Sequence, residues 1–398
     1  MTLSGPLDPK HHGPRRPMTG GLARAGMQVL AVLGLAACAQ VPAPAGAAVV
    51  GTDAVAPADA TGATGAADAP PAVDTKAPLL KAGEPVELVT NSAYLSRALD
   101  VISTAQTRLD IVQFEYKSGT VTDILVEAIK KARARGVKVR VLVDDEIKDN
   151  ATLVDILRAA DVSSRLDESS IRTHAKLIYS DQAFLVGSTN WSTTSITNNN
   201  ESNVLVRDTG ARLAMGGWIE SVWKNANAAV PIPASSAKDT ACYGDGGFAD
   251  AAAGILDGAK KRLDVVTYAM TYDPKFTTGP LTASLDRLKK AVARGVTVRV
   301  LLDQSPAAWS AEGGSEANLE AAKYLKSIGV QVRLDKLDTI THAKIVVTDT
   351  ALVVGTNNWG YYGMAVNHEV GVRTTHASAV AALQKYFDGL WASGVSPP

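Results

Sequence analysis

Cysteine is nearly absent from the chain. Its 398 residues contain two, Cys38 and Cys242. A disulfide framework and a thiolate metal cluster both need more, so neither is expected. An excess of either charge is also missing: Lys+Arg and Asp+Glu both number 40, for a formal net charge of zero. Nucleic-acid binders draw much of their affinity from neutralising phosphates and usually carry a basic excess. The balance weighs against that class and leaves only a local basic patch open. No apolar run is long enough to anchor in a bilayer as a spanning helix; the run from Met27 to Leu35 is too short. What is present is a globular composition, 46% hydrophobic and 20% charged, in a chain long enough for two ordinary domains or one large one.

The N-terminus reads as a targeting segment. "RRPMTGGLARAGMQVLAVLGLAAC" opens with Arg15, Arg16 and Arg24, continues into the apolar run and closes on small residues, the order of a secretory signal. Leu35-Ala36-Ala37-Cys38 resembles a bacterial lipobox. The resemblance implies cleavage before Cys38, acylation of Cys38, and, with Ala39 where Asp would otherwise retain the protein, passage towards the outer membrane. An exported, lipid-anchored protein at the outer membrane or in the periplasm is therefore expected. Residues 39–78 are almost wholly Ala, Pro, Gly, Thr and Asp and cannot bury enough surface to offset their ordering entropy, so they read as a disordered tether. Cys242 then stands alone as a small, inert side chain. His11 and His12 precede the cleavage point and drop out.

The remainder is written twice. "RLDIVQFEY" from Arg108 matches "RLDVVTYAM" from Arg262, and "ARARGVKVRVLVDD" from Ala132 matches "AVARGVTVRVLLDQ" from Ala291. The copies keep their order, so one unit has been duplicated into two lobes, residues 79–230 and 241–398, joined by a Pro- and Ser-bearing linker at 231–240. Within each lobe, helical periodicities such as "VTDILVEAIKKARARG", closing on Gly136, alternate with β-branched runs of strand length. The fold class expected is α/β: two duplicated α/β/α sandwich lobes related by a pseudo-twofold axis.

The most informative repeat is "THAKLIYSDQAFLVGSTNW" from Thr173 and "THAKIVVTDTALVVGTNNW" from Thr341. His174 and Lys176, like His342 and Lys344, are two apart and share one face of a strand. Asp181 and Asp349 mark tight turns, after which a partner strand returns Gly187, Ser188 and Asn190, or Gly355, Thr356 and Asn358, beside the histidine. Lysine supplies a compact positive charge, Asn190, Asn358, Ser188 and Thr356 supply hydrogen bonds, and glycine admits an anion to the backbone. Histidine is the base, acid or nucleophile available near neutral pH. A phosphodiester displacement needs a nucleophile on one side of phosphorus and a proton donor on the other, and two lobes face to face provide one histidine for each.

These residues resemble the phospholipase D superfamily, whose mark is His-x-Lys, Asp, and Gly-Ser/Gly-x-Asn. The resemblance spans residues 79–391. It departs from the family pattern in a gap from Asp to Gly that is one residue shorter in both copies, and in Thr356 where Ser is usual. It implies a covalent phosphohistidine formed on His174, acid and base duty for His342, Lys176, Lys344, Asp181 and Asp349 in the catalytic set, and Glu201 and Glu369 as carboxylates that orient histidine. An Asp at a hairpin turn is equally a structural choice. No metal or other cofactor is implied. The expected partners are a phospholipid substrate and a membrane surface reached through the acylated N-terminus, acting as a monomer with an intramolecular two-lobe site. A nuclease or a cardiolipin-synthase-like transferase on the same site is the alternative. His368, next to Glu369 on an alternating strand, should face away from the site. Phe114, Tyr116, Tyr268 and Tyr272 end equivalent strands and could either pack the core or line a pocket. The "KKARAR" run from Lys130 reads as a solvated helix face.

Overall fold

The computed structural model describes residues 83–232, 239–305 and 314–398. The signal segment, Cys38, the tether at 39–78 and most of the linker lie outside them. Lobe 1 runs β1 (Val86–Thr90), α1 (Ala93–Thr104), β2 (Arg108–Gln113), α2 (Thr120–Ala134), β3 (Lys138–Val143), α3 (Lys148–Arg158), β4 (Ser163–Leu166), β5 (Lys176–Ser180), β6 (Phe184–Gly187), α4 (Thr193–Thr197), β7 (Ser202–Val206) and α5 (Thr209–Lys224). Lobe 2 repeats it with β8 (Thr240–Tyr243), α6 (Phe248–Gly258), β9 (Arg262–Thr267), α7 (Pro280–Ala293), β10 (Thr297–Leu302), α8 (Gly314–Ser327), β11 (Gln331–Leu334), β12 (Ile345–Thr348), β13 (Leu352–Gly355), a π turn (Tyr362–Val366), β14 (Gly371–Thr374) and α9 (Ala377–Ser393). Strand β8 starts at Thr240, inside the stretch read as linker.

Each lobe builds a seven-stranded sheet, in the order β1-β7-β6-β5-β2-β3-β4 and, strand for strand the same, β8-β14-β13-β12-β9-β10-β11. Strands β2, β3 and β4 are parallel and the others antiparallel, with the same division in lobe 2. The central strands are apolar on both faces: Leu109 and Ile111 turn to one, Val112 to the other, all buried. This is the near-continuous apolar run expected of a strand covered on two sides. Gly136 takes φ +90° just beyond α2, and Gly295 φ +82° beyond α7; only glycine enters that region at little cost, so both helices stop there. The charged run of α2 is solvated as read, with Lys131 and Arg135 exposed.

Each outer face carries its own apolar cluster, but the inner faces share one. Val112, Leu177 and Val204 of lobe 1 enter the same cluster as Val266, Ile345 and Val372 of lobe 2, together with Met215 and Trp218 of α5 and Leu383 and Phe387 of α9. Helix α5 also packs on β8, and α9 on β1. Each lobe thus covers the edge strand of the other, and the two form one compact unit. Burial at about 25 cal/mol per Å² makes such a shared face a large part of the stability, so the lobes hold a fixed orientation. Cys242 lies in this shared core, its thiol pushed up to about 12 by burial, and fits the inert role read for it.

Candidate active site

The two histidines arrive on the loops that feed β5 and β12. Each is fixed first by its backbone. The amide of Thr173 donates to Asp144 at 2.7 Å, and that of Thr341 to Asp303 at 2.8 Å and Asp335 at 3.0 Å. These aspartates are buried and sit in acidic pairs. Burial and the neighbouring Asp167 push Asp144 up to about 7, and burial with Asp303 pushes Asp335 up to about 8. Sequence reasoning passed over them, although Asp144 and Asp303 recur at matching places in "VLVDD" and "VLLDQ".

The loops then cross between lobes. Thr173 bridges His368, and Asn200 bridges Thr341. The amide of His342 donates to the Asn200 carbonyl at 2.9 Å, and that of His368 to the Arg172 carbonyl at 2.9 Å. The side chains follow the same exchange: His174 Nδ1 meets Glu369 of lobe 2 at 2.8 Å, and His342 Nδ1 meets Glu201 of lobe 1 at 3.1 Å. Each glutamate therefore holds the histidine of the other lobe. With Nδ1 committed to a carboxylate, Nε2 is the nitrogen turned away from it, and both rings line one cleft of about 640 Å³. Phe114 lies edge-on to His174 at 4.8 Å, and Tyr268 to His342 at 4.7 Å, which limits ring rotation. Of the four strand-end aromatics, these two line the cleft, while Tyr116 is buried in the core and Tyr272 stacks on Tyr324.

Lys176 and Lys344 lie beneath the histidines, buried, each donating to the carbonyl of its own lobe's histidine at 2.6 Å. Lys176 stands over the Phe114 ring at 4.7 Å and Lys344 over Tyr268 at 5.2 Å. Burial lowers Lys176 to about 8, opposed first by Glu369. Asn190 and Asn358 line the cleft with the histidines.

Three readings need correction. Ser188 and Thr356 do not face the cleft. Both are fully buried, and their hydroxyls donate to Glu201, at 2.5 Å, and to Glu369. Hydroxyls held this way orient carboxylates and have no donor left for a phosphate. Gly187 makes room for a neighbouring strand, since a Cβ there would collide with the backbone of Ser202 in β7. Asp181 and Asp349 lie at the far end of the hairpins, roughly 16 Å of strand from Lys176 and Lys344. Asp181 accepts the amides of Gln106 at 2.9 Å and Thr107 at 3.2 Å, and Asp349 accepts that of Lys261 at 2.8 Å. Burial alone would raise both, but these amides outweigh it and hold each below the usual carboxylate range. They pin the start of β2 and β9 and take no part in the cleft. His368 turns from the site as read, buried at the lobe boundary against Asp245 at 2.5 Å and the Ala226 carbonyl at 2.7 Å.

The glutamates are held differently. Glu201 also accepts Ser195 at 2.5 Å and Asn199 at 3.2 Å, while Glu369 also accepts Asn367 at 3.3 Å. Burial raises Glu369 to about 7 against the opposing Lys176, whereas Glu201, equally buried, is brought below its ordinary value by His342, Lys344 and Ser188. Burial first, then Lys344, lowers His342 from its ordinary value, while Glu201 beside it pulls the other way. Among the described residues no group of three or more His, Cys, Asp or Glu is placed to hold a metal ion.

The family described as cardiolipin synthase, PLD-like domain, matches residues 98–223 and 253–391, one segment in each lobe. Human mitochondrial cardiolipin hydrolase is 34% identical over 152 residues, 37% of this chain and 58% of its own length. The mouse protein of that name is 33% identical over 129 residues, 32% of this chain and 57% of its own length. The chain thus spans little more than half of these relatives. The crystal structure of phosphatidylserine synthase from Haemophilus influenzae superposes with a TM-score of 0.60 at 11% identity, covering 78% of this chain and 87% of that one. At that identity the likeness shows a shared fold.

Proposed function

The chain belongs to the cardiolipin synthase, PLD-like domain family, and on that footing we propose that it is a phospholipase D-type phosphodiesterase that cleaves the head-group ester of membrane phospholipids. The observation carrying the reading is the single cleft lined by two histidines, each braced by a carboxylate from the opposite lobe. His174 Nε2 attacks phosphorus, and the bond from phosphorus to the alcohol oxygen breaks. His342, protonated on Nε2, gives its proton to that oxygen. It then takes a proton from water, which attacks phosphorus, breaks the P–N bond and leaves phosphatidic acid. Asn190 and Asn358 hold the phosphoryl oxygens, and the buried ammoniums of Lys176 and Lys344 stabilise the added negative charge. Replacing water with an alcohol gives transfer on the same site.

The lipid reading has support beyond the names of the relatives. In lobe 2, the loops after β9, β11 and β13 leave the sheet edge that carries His342. They expose Phe276 (69%), Leu337 (65%), Tyr361 (64%) and Tyr362 (63%). Exposed aromatic and aliphatic side chains on loops from the site's edge of the sheet suit a bilayer interface. Lobe 1 has Ser169, Thr193 and Thr194 where lobe 2 has Leu337, Tyr361 and Tyr362. Lys275 and Lys336 are offset by Asp273 and Asp338 on the same loops, so apolar insertion rather than net charge would hold the surface.

The test uses the purified protein with phosphatidylcholine vesicles, cardiolipin vesicles and single-stranded DNA, all in EDTA. Release of the head group with formation of phosphatidic acid is expected, and phosphatidylethanol when ethanol is present. DNA cleavage without lipid turnover would overturn the substrate assignment. A variant carrying Phe276→Ser and Leu337→Ser is expected to lose at least about tenfold more activity on vesicles than on a monomeric short-chain phospholipid. Removing two inserted apolar side chains costs roughly 2–4 kcal/mol of membrane partitioning. Equal losses on both substrates would show that these loops do not meet the membrane.

A further inference from the structure

The duplication supplies its own control, because the stretch from the motif asparagine to the glutamate is aligned without a gap between lobes. Asn190 matches Asn358, Glu201 matches Glu369 and Asn199 matches Asn367. Among the positions that differ, one bears directly on the carboxylate. Ser195 in lobe 1 corresponds to Gly363 in lobe 2. Ser195 is buried beside the cleft. Its hydroxyl donates to Glu201 Oε1 at 2.5 Å and accepts the amide of Asn190 at 3.0 Å. Gly363 has no hydroxyl to offer, and a Cβ there would lie 2.6 Å from the Asn358 carbonyl oxygen, so lobe 2 has no room for the serine.

We propose that Ser195 is a positioning residue that makes the two histidine–carboxylate pairs unequal, holding Glu201 as the anion so that the proton of that pair stays on His342. A hydroxyl donating to a carboxylate favours its ionised form. With Ser188 and Ser195 on its two oxygens, Glu201 is a poor proton acceptor, and a proton entering the pair resides on the imidazole. His342 is thereby kept as an acid able to protonate a leaving alcohol. Glu369 lacks the second hydroxyl and is raised towards neutrality by burial, so it can draw the Nδ1 proton of His174 as the ring becomes cationic on bonding phosphorus. The exchange of Ser195 for Gly363 thus divides two duplicated half-sites into acid and nucleophile. The inference rests on the displacement proposed above, in which His342 is the acid.

The test compares leaving groups. Methyl p-nitrophenyl phosphate expels a nitrophenolate that needs no proton, whereas phosphatidylcholine expels an alkoxide that does. Ser195→Ala is expected to lower turnover of phosphatidylcholine by roughly 10- to 100-fold, part of the range that general acid catalysis contributes. Its loss on the aryl ester should be at least about fivefold smaller, and Ser195→Thr, which restores a hydroxyl, should recover most of the alkyl activity. If the alanine variant does not fold, Ser195→Cys keeps the volume with a weaker donor and is read in its place. Equal losses on the two substrates, or no loss on either, would overturn the proposal. Wild-type turnover of the aryl ester without turnover of phosphatidylcholine would fail only the lipid reading, and an oligonucleotide then serves as the alkyl substrate.

Discussion

His174→Ala and His342→Ala are each expected to remove nearly all turnover of an alkyl phosphodiester, by a factor on the order of 10³ or more, and the double variant should be scarcely worse than either single one. The reason is geometric. The lobes contribute one histidine each to a single cleft, so neither half-site holds both a nucleophile and an acid. Residues that act as a unit lose activity together, and their losses do not add. The variants separate on an activated aryl ester. There His342→Ala should still release a first equivalent of nitrophenolate, because the displacement needs only His174, while His174→Ala should release none. Near-normal alkyl turnover in a variant lacking His342 would refute the two-half-site arrangement. Neither change should unfold the protein, since both rings sit at the cleft rather than in the shared core.

The second large effect concerns which glutamate serves which histidine. Glu369→Gln and Glu201→Gln should each cost roughly 10²- to 10⁴-fold, the scale seen when a histidine's acidic partner is replaced by an amide and the wrong tautomer results. The exchange between lobes is exposed by a second mutation. In the His342→Ala background, Glu201→Gln should add almost nothing to the loss in the nitrophenolate burst, because the ring it holds is gone. Glu369→Gln in that background should still slow the burst severely, because it holds His174 at 2.8 Å. Pairing within each lobe requires the opposite result, with Glu201→Gln damaging and Glu369→Gln silent.

Much of this architecture could be read from the chain. The duplicated runs marked two lobes, β-branched runs of strand length marked the strands, and Gly136 marked the end of α2. The His-x-Lys repeats located the site. The exchange of glutamates could not be read, because spacing along the chain says that Glu201 lies near a histidine but not which lobe's. That choice is made by the inner sheet faces closing on each other through Val266, Ile345 and Val112. The misplacement of Ser188 and Thr356 has a more local origin. Both belong to the motif, yet each hydroxyl points at the glutamate that its own lobe's neighbouring strand brings beside it. Thr356 stands behind Glu369, the partner of His174, and not beside the histidine of its own lobe. Asp181 and Asp349 were legible as turn residues, and their backbone amide bonds bear out that half of the reading. Ser195 escaped notice because attention to a repeat favours what the copies share, and its meaning lies in what they do not.

The central claim is that phosphorus passes through a covalent bond to one lobe's histidine while the other lobe's histidine moves the proton. Rapid quenching of the enzyme with phosphorus-labelled substrate tests it most directly. The account predicts an acid-labile, base-stable phosphohistidine on the peptide containing His174, accumulating with the aryl ester when His342 is alanine because water then lacks its base. A label on His342 would reverse the two roles, and the absence of a covalent phosphohistidine on either peptide, with turnover intact, would contradict the mechanism.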